Sequence, residues 1–140
     1  MRRAALLFLL ATCSTWSSLT RAEPAYLQPL LGEWHQIASN AGKCADCRIT
    51  VEKNGREFIV KASNGWSAIV QPSFQGRASV AGKGAWKPDF GGPYGGKPFY
   101  LNLGVAGGKL LMLMTVPDPD GKLGYIKATF EKAPASAETL

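Results

Sequence analysis

The residues best equipped for chemistry are Cys44-Ala45-Asp46-Cys47, a C-x-x-C. At a helix N-terminus such a pair is redox-active, because the dipole lowers the pKa of the first thiol. Here the pair follows the loop-forming run Ser39-Asn40-Ala41-Gly42-Lys43 and leads straight into an alternating strand pattern. A local disulfide is therefore the expected state in an oxidising compartment. Its loop is so short that chain entropy contributes on the order of 2 kcal/mol or less. A redox or metal role for Cys44 and Cys47 is the alternative. A zinc site would need more ligands than these thiols and His35, the single histidine, supply.

The other chemical candidates point away from catalysis. His35 alternates with Trp34 and shares its strand face with Glu33 and Ile37, so an inward Trp34 puts His35 at the surface. No nucleophile motif accompanies it. Asp118 and Asp120 belong to a Pro-Asp-Pro-Asp-Gly turn rather than to a carboxylate pair. The glycines between Gly91 and Gly96 come with prolines and lead to a strand, unlike a phosphate-binding loop. No catalytic residue, metal or cofactor is expected, and the chain reads as a binding protein. Trp34, Trp66, Trp86, Phe90, Tyr94 and Tyr100 are the candidate binding residues, since aromatics give large contact area at low entropic cost. Taken singly, Trp34 and Trp66 also fit a core. Phe90 and Tyr94 lie in the Gly- and Pro-rich run Pro88–Pro98, which has no core of its own and reads as a lid or contact loop at a barrel mouth.

The elements that must hold these residues are short strands. Gly32–Ala38 opens the set, with Trp34, Gln36 and Ala38 on one face. Arg48–Lys53 and Arg56–Ala62 flank Asn54-Gly55, read as a type I′ hairpin turn. Asn64-Gly65 repeats that chemistry before Trp66–Gln71. Phe74–Val80 is a weaker strand, which Lys83–Lys87 extends or follows as a separate one. Phe99–Val105, Lys109–Val116 and Leu123–Lys132 complete the series. Ahead of them, Glu23–Leu31 reads as a helical turn or extended cover over a barrel end, with Pro29 ending any helix. Short strands at roughly ten-residue spacing, joined by tight turns and without a long amphipathic helix, predict a sandwich or barrel. Closure as an antiparallel up-and-down β-barrel of about eight strands removes the exposed edges. Leu110–Met114 is apolar on both faces. Its outer face needs a cover, from the segment around Tyr26 and Leu27 or from a second protein, as in a homodimer through this strand.

Leu31-Gly32-Glu33-Trp34 at the head of the first strand resembles the Gly-x-Trp start of lipocalin-like (calycin) barrels, a group that includes avidin-type and bacterial protease-inhibitor members. The resemblance covers about residues 30–132: an opening strand, a chain of hairpins, and a last strand returning beside the first. It implies that Trp34 closes one barrel end. The chain departs from that pattern in lacking a C-terminal helix and in the placement of its Cys pair.

Arg2-Arg3, the apolar run Ala4–Ala11 and Thr20-Arg21-Ala22 read as the three regions of a secretory signal peptide, residues 1–22. The apolar run is too short to span a membrane. Lipidation at Cys13 is the rival reading of the leader. The full chain carries +6, from 16 basic and 10 acidic residues. Losing Arg2, Arg3 and Arg21 with the leader leaves 13 basic against 10 acidic residues, or +3. The remaining cations are scattered along the strands, which argues against a nucleic-acid partner. The expected organisation is signal peptide 1–22, cover segment 23–31, barrel 32–132 and tail 133–140, secreted or periplasmic. The expected function is to hold a small apolar or amphipathic ligand inside the barrel. The alternative is a module that binds a protein partner through barrel-end loops, such as a hydrolase inhibitor. A large pocket favours the first and a filled interior the second.

Overall fold

The computed structural model describes residues 24–134. The expected signal peptide, Cys13 and all but the start of the expected tail lie outside the described residues. Eight strands, β1 (Gly32–Ser39), β2 (Arg48–Asn54), β3 (Glu57–Ala62), β4 (Trp66–Pro72), β5 (Ser79–Trp86), β6 (Pro98–Ala106), β7 (Lys109–Pro117) and β8 (Leu123–Lys132), follow one another in a closed antiparallel barrel. Each pairs with its sequence neighbour, and β8 returns to β1. The expected up-and-down barrel is thus the observed fold. No helix among the described residues is long and apolar enough to cross a membrane.

Closure follows from the alternation of each strand. Phe58, Val60, Val70, Val80, Phe99, Leu101, Leu110, Met114 and Phe130 point inward and are almost fully buried, and no polar or charged residue among those described is buried with them. Two short 3-10 segments supplement the strands, Ala25–Leu30 and Gly92–Tyr94. The first plugs the barrel end where β1 begins, with Leu27 and Leu30 in the core. It runs through Pro29, which the sequence reading took as a stop. The hydrogen bonds Leu27 N–H to Pro24 O and Leu31 N–H to Gln28 O bracket Pro29, so its missing N–H falls between them.

Four further local readings need correction. First, Phe74–Ala78 is a loop, and the fifth strand runs unbroken from Ser79 through Gly82 and Gly84. Those glycines are required by close packing: a Cβ at Gly84 would lie 2.3 Å from the Ser67 carbonyl oxygen and 2.6 Å from Phe99 Cζ. Second, β1 carries a bulge between Gln36 and Ala38. The inserted residue, Ile37, breaks the alternation, so Ala38 pairs with Thr129 on the outer face and Ser39 with Ala128 on the inner one. Third, Asn54 pairs with Glu57, so the hairpin turn is Gly55-Arg56. Only Gly55 has positive φ (63°), the pattern of a II′ rather than an I′ turn. Fourth, the N-terminal segment fills the barrel end and does not cover the outer face of β7, where Leu111 stays 48% exposed.

Candidate functional site

The barrel has one sealed end and one end with a cavity. At the sealed end Trp34 is buried beneath the first 3-10 segment and donates its indole N–H to Leu30 O at 2.9 Å. Lys132 lies over the Trp34 ring, 4.6 Å from its centroid, and donates to the Leu31 carbonyl. Desolvation pushes the Lys132 pKa below its ordinary value.

At the opposite end a cavity of about 160 Å³ opens at the mouth. Its apolar wall comes from Ile49, Trp66, Trp86, Met112, Met114, Ile126 and Phe130, and its polar rim from Gln36, Ser39, Lys43, Arg48 and Asn64. The β1–β2 loop crosses this mouth and is fixed at both ends. Asn40 donates its amide to Tyr125 O at 3.0 Å and accepts from the Lys127 N–H at 2.9 Å. Gln36 N–H donates to Cys47 O at 2.8 Å, and Arg48 N–H to Ser63 Oγ at 3.0 Å. Between these anchors Cys44 and Cys47 form the expected disulfide, with Cys47 buried and Cys44 exposed, and both line the cavity.

A second loop, 87–97, buttresses the mouth from outside. Trp66, Trp86 and Phe99 form an edge-to-face cluster with centroids 5.5 to 6.4 Å apart, and Tyr94 stacks on Trp86 at 6.3 Å. Trp86 is only 8% exposed, and its indole N–H has no acceptor among the described residues. Burying a donor in that way costs about 1–3 kcal/mol. Phe90 seats on the β3–β4 turn, where a Cβ at Gly65 (φ +97°) would lie 2.3 Å from its ring. Its other face is solvent-exposed, with Lys87 Nζ 5.8 Å from the centroid.

The six candidate aromatics therefore do not form one surface. Trp66 and Trp86 line the cavity, Tyr94 stacks behind Trp86, and Phe90 packs on Gly65 of the β3–β4 turn. Trp34 belongs to the sealed end. Tyr100 faces outward on β6 beneath Lys83, because Phe99 takes the inward position. His35 is on the outer wall, 2.9 Å from Glu33 Oε1. Among the described residues no three His, Cys, Asp or Glu side chains gather as metal ligands. The sequence reading missed Met112, Met114, Lys43 and Arg48. The alternation of Leu110–Met114 carried the signal for the two methionines, which share the inward face. Lys43 becomes part of the rim only through the path of the β1–β2 loop, whereas Arg48, paired with outward His35 at the start of β2, borders the rim from the outer face.

The outer wall carries one further feature. A groove of about 770 Å³ runs over β6, β7, β8 and the end of β1, bounded by Phe74, Asn102, Gly104, Leu111, Leu113 and Lys127. No protein-family model matches this chain, and no curated protein matches it either.

Proposed function

We propose that the chain is an exported, non-catalytic binding protein of lipocalin-like type, which takes a small, mostly apolar molecule at the mouth of its barrel. The observation that carries this reading is the 160 Å³ cavity: an apolar wall, a polar rim and a loop clamped across the opening. That is the usual composition of a small-molecule site. Its volume falls below the roughly 300–1,000 Å³ of drug-sized sites. The ligand is therefore compact, and the rest of the interior is side-chain core. Residues 1–22 direct export, and the mature chain works in an oxidising compartment such as a periplasm. Native mass spectrometry of protein purified from its source tests the reading. A co-purifying small molecule and an N-terminus at Glu23 are expected. A ligand-free protein that binds no compact apolar probe would sink it.

The outer groove favours a second reading, a protein partner or a second copy seated against the Leu110–Met114 strand, for which Leu111 and Phe74 supply exposed apolar contacts. A hydrolase inhibitor presenting the barrel-end loops is a separate form of protein binding, for which Phe90 rather than the groove would be the exposed contact. Sedimentation of the mature chain separates these outcomes: a concentration-dependent dimer abolished by Leu111→Lys supports self-association, and a monomer throughout excludes it.

A further inference from the structure

The outer wall of the barrel is two-sided in charge. The outward glutamates of β1 to β3 have partners: Glu33 meets His35 at 2.9 Å, Glu52 meets Lys61 at 3.6 Å, and Glu57 accepts from Gln71 Nε2 at 3.3 Å. From Phe58 to Pro117 the chain carries six cations and a single acid, Asp89, which sits in the 87–97 loop. No outward position of β5, β6 or β7 is therefore acidic. At the foot of β8, Glu131 is held by Lys109 at 3.6 Å. The centre of the β5–β8 wall is apolar. Leu111 and Phe74 are exposed on it, and the exposed Tyr100 and Tyr125 stand opposite Thr115 from either side, on β6 and β8. Three cations surround that centre: Lys83 on β5, Lys127 on β8 and Arg77 in the β4–β5 loop. None of the three has an ion pair among the described residues. Lys127 is the one charged residue lining the 770 Å³ groove. Arg77 is the one charged residue lining a neighbouring depression of about 470 Å³, which shares Phe74 and Leu111 with the groove.

We propose that this wall docks on an anionic phospholipid bilayer, with Leu111, Phe74 and the two tyrosines in the headgroup layer and Lys83, Lys127 and Arg77 on the phosphates. Charge complementarity selects the occupant, since a cationic surface without acids fits a uniformly anionic one. Tyrosine beside exposed aliphatic groups, rimmed by lysine, is the composition of an interfacial surface. The lysine stems lie along apolar surface while the ammonium groups reach the phosphates. A protein partner fits this wall less well, because lysine is depleted from protein interfaces. A second copy related by a two-fold axis would present a patch of the same sign. The inference does not depend on the mouth cavity or on what it holds.

The test uses a chain beginning at Glu23, so that the apolar run of the leader takes no part. It is mixed with vesicles of phosphatidylglycerol and phosphatidylcholine in equal parts, or of phosphatidylcholine alone, and followed by flotation. Saturable binding to the anionic vesicles is expected, weakening as salt rises, with little binding to the neutral ones. Each cation at an anionic surface contributes about fivefold, so Arg77→Gln, Lys83→Gln and Lys127→Gln together should weaken binding about a hundredfold. Removing the same charge away from the wall, by Lys43→Gln, Arg48→Gln and Arg56→Gln, should change it little by comparison. Leu111→Ser should weaken binding without altering its salt dependence. All these side chains are exposed, so the variants retain the fold. Equal losses from the two triple variants overturn the wall as the docking face, because net charge alone would then account for them. No binding to anionic vesicles, or equal binding to both kinds, overturns the bilayer. A concentration-dependent dimer lost in the wall variants, without vesicle binding, assigns the wall to a second copy and overturns the proposal too.

Discussion

The two ends of this barrel are built around the same residue type and differ in one hydrogen bond. Trp34 at the sealed end has its N–H on Leu30 O, its ring under Lys132, and Leu27 and Leu30 packed beside it. Trp86 at the mouth is likewise buried, among Trp66, Phe99 and Tyr94, yet its N–H has no acceptor among the described residues. The sealed end is thus optimised for stability, because every polar atom of its tryptophan is answered. The mouth retains a buried donor that stability alone would not preserve, on a tryptophan that also lines the cavity there. Departures from full satisfaction of this kind are where function is expected to lie.

That contrast can be broken or sharpened by substitution. The largest effect belongs to Trp34→Ala, which should cost about 3–5 kcal/mol in a denaturant titration, the range for removing a large buried aromatic. The sharper comparison is Trp34→Phe against Trp86→Phe. Both lose similar volume, but the first also strands Leu30 O and the second removes an unsatisfied donor. Trp34→Phe should therefore be the less stable of the two by about 2 kcal/mol; equal losses would erase the distinction between the ends.

Replacing Cys44 and Cys47 together by Ser should cost about 2 kcal/mol or less, as a loop this short constrains the unfolded chain little. Its clearer signature is faster hydrogen exchange confined to residues 40–47. A globally destabilised barrel would instead give the disulfide a role in the core. Next come the two aromatics of the 87–97 loop. Tyr94→Ala should cost about 1 kcal/mol, the worth of a stacked aromatic contact, and alter the Trp86 environment in near-UV circular dichroism. Phe90→Ala, half-exposed, should stay within about 0.5 kcal/mol.

The smallest effect is electrostatic and belongs to the sealed end. Desolvation lowers the Lys132 pKa in the folded state. The unfolded chain therefore binds more protons between that lowered value and the ordinary 10.5, and this group's contribution to stability rises with pH across that window. Lys132→Met should flatten that rise in urea titrations at pH values below 10.5. An unchanged slope would assign the alkaline dependence to other groups.

The barrel was legible in the chain because it rests on local, repeated signals. Inward residues recur every second position, and Gly, Asn and Pro cut the run into hairpins. A meander with short links has few ways to arrange itself other than closing. The disulfide was legible for the same reason, since its partners are three residues apart. What failed was local geometry that depends on neighbours. The bulge that turns Ala38 outward and Ser39 inward is set by the register of β1 on β8. The unbroken course of β5 is set by the proximity of β4 and Phe99 to Gly82 and Gly84.

The candidate site was only half legible, and for a physical reason. Alternation tells which residues face inward, so Trp66 and Trp86 could be named from the chain. It does not tell at which height of the barrel they sit, because height depends on strand stagger accumulated around the ring. Strand order and, outside the bulged end of β1, the inward-facing sets were therefore determined by the sequence. That Trp34 and Trp86 belong to opposite ends, that the β1–β2 loop comes over Met112 and Met114 at the mouth, and that one indole has an acceptor and the other has none among the described residues, were decided only by tertiary packing. Those relations join residues far apart in the chain, and they exist only once the last strand has closed on the first.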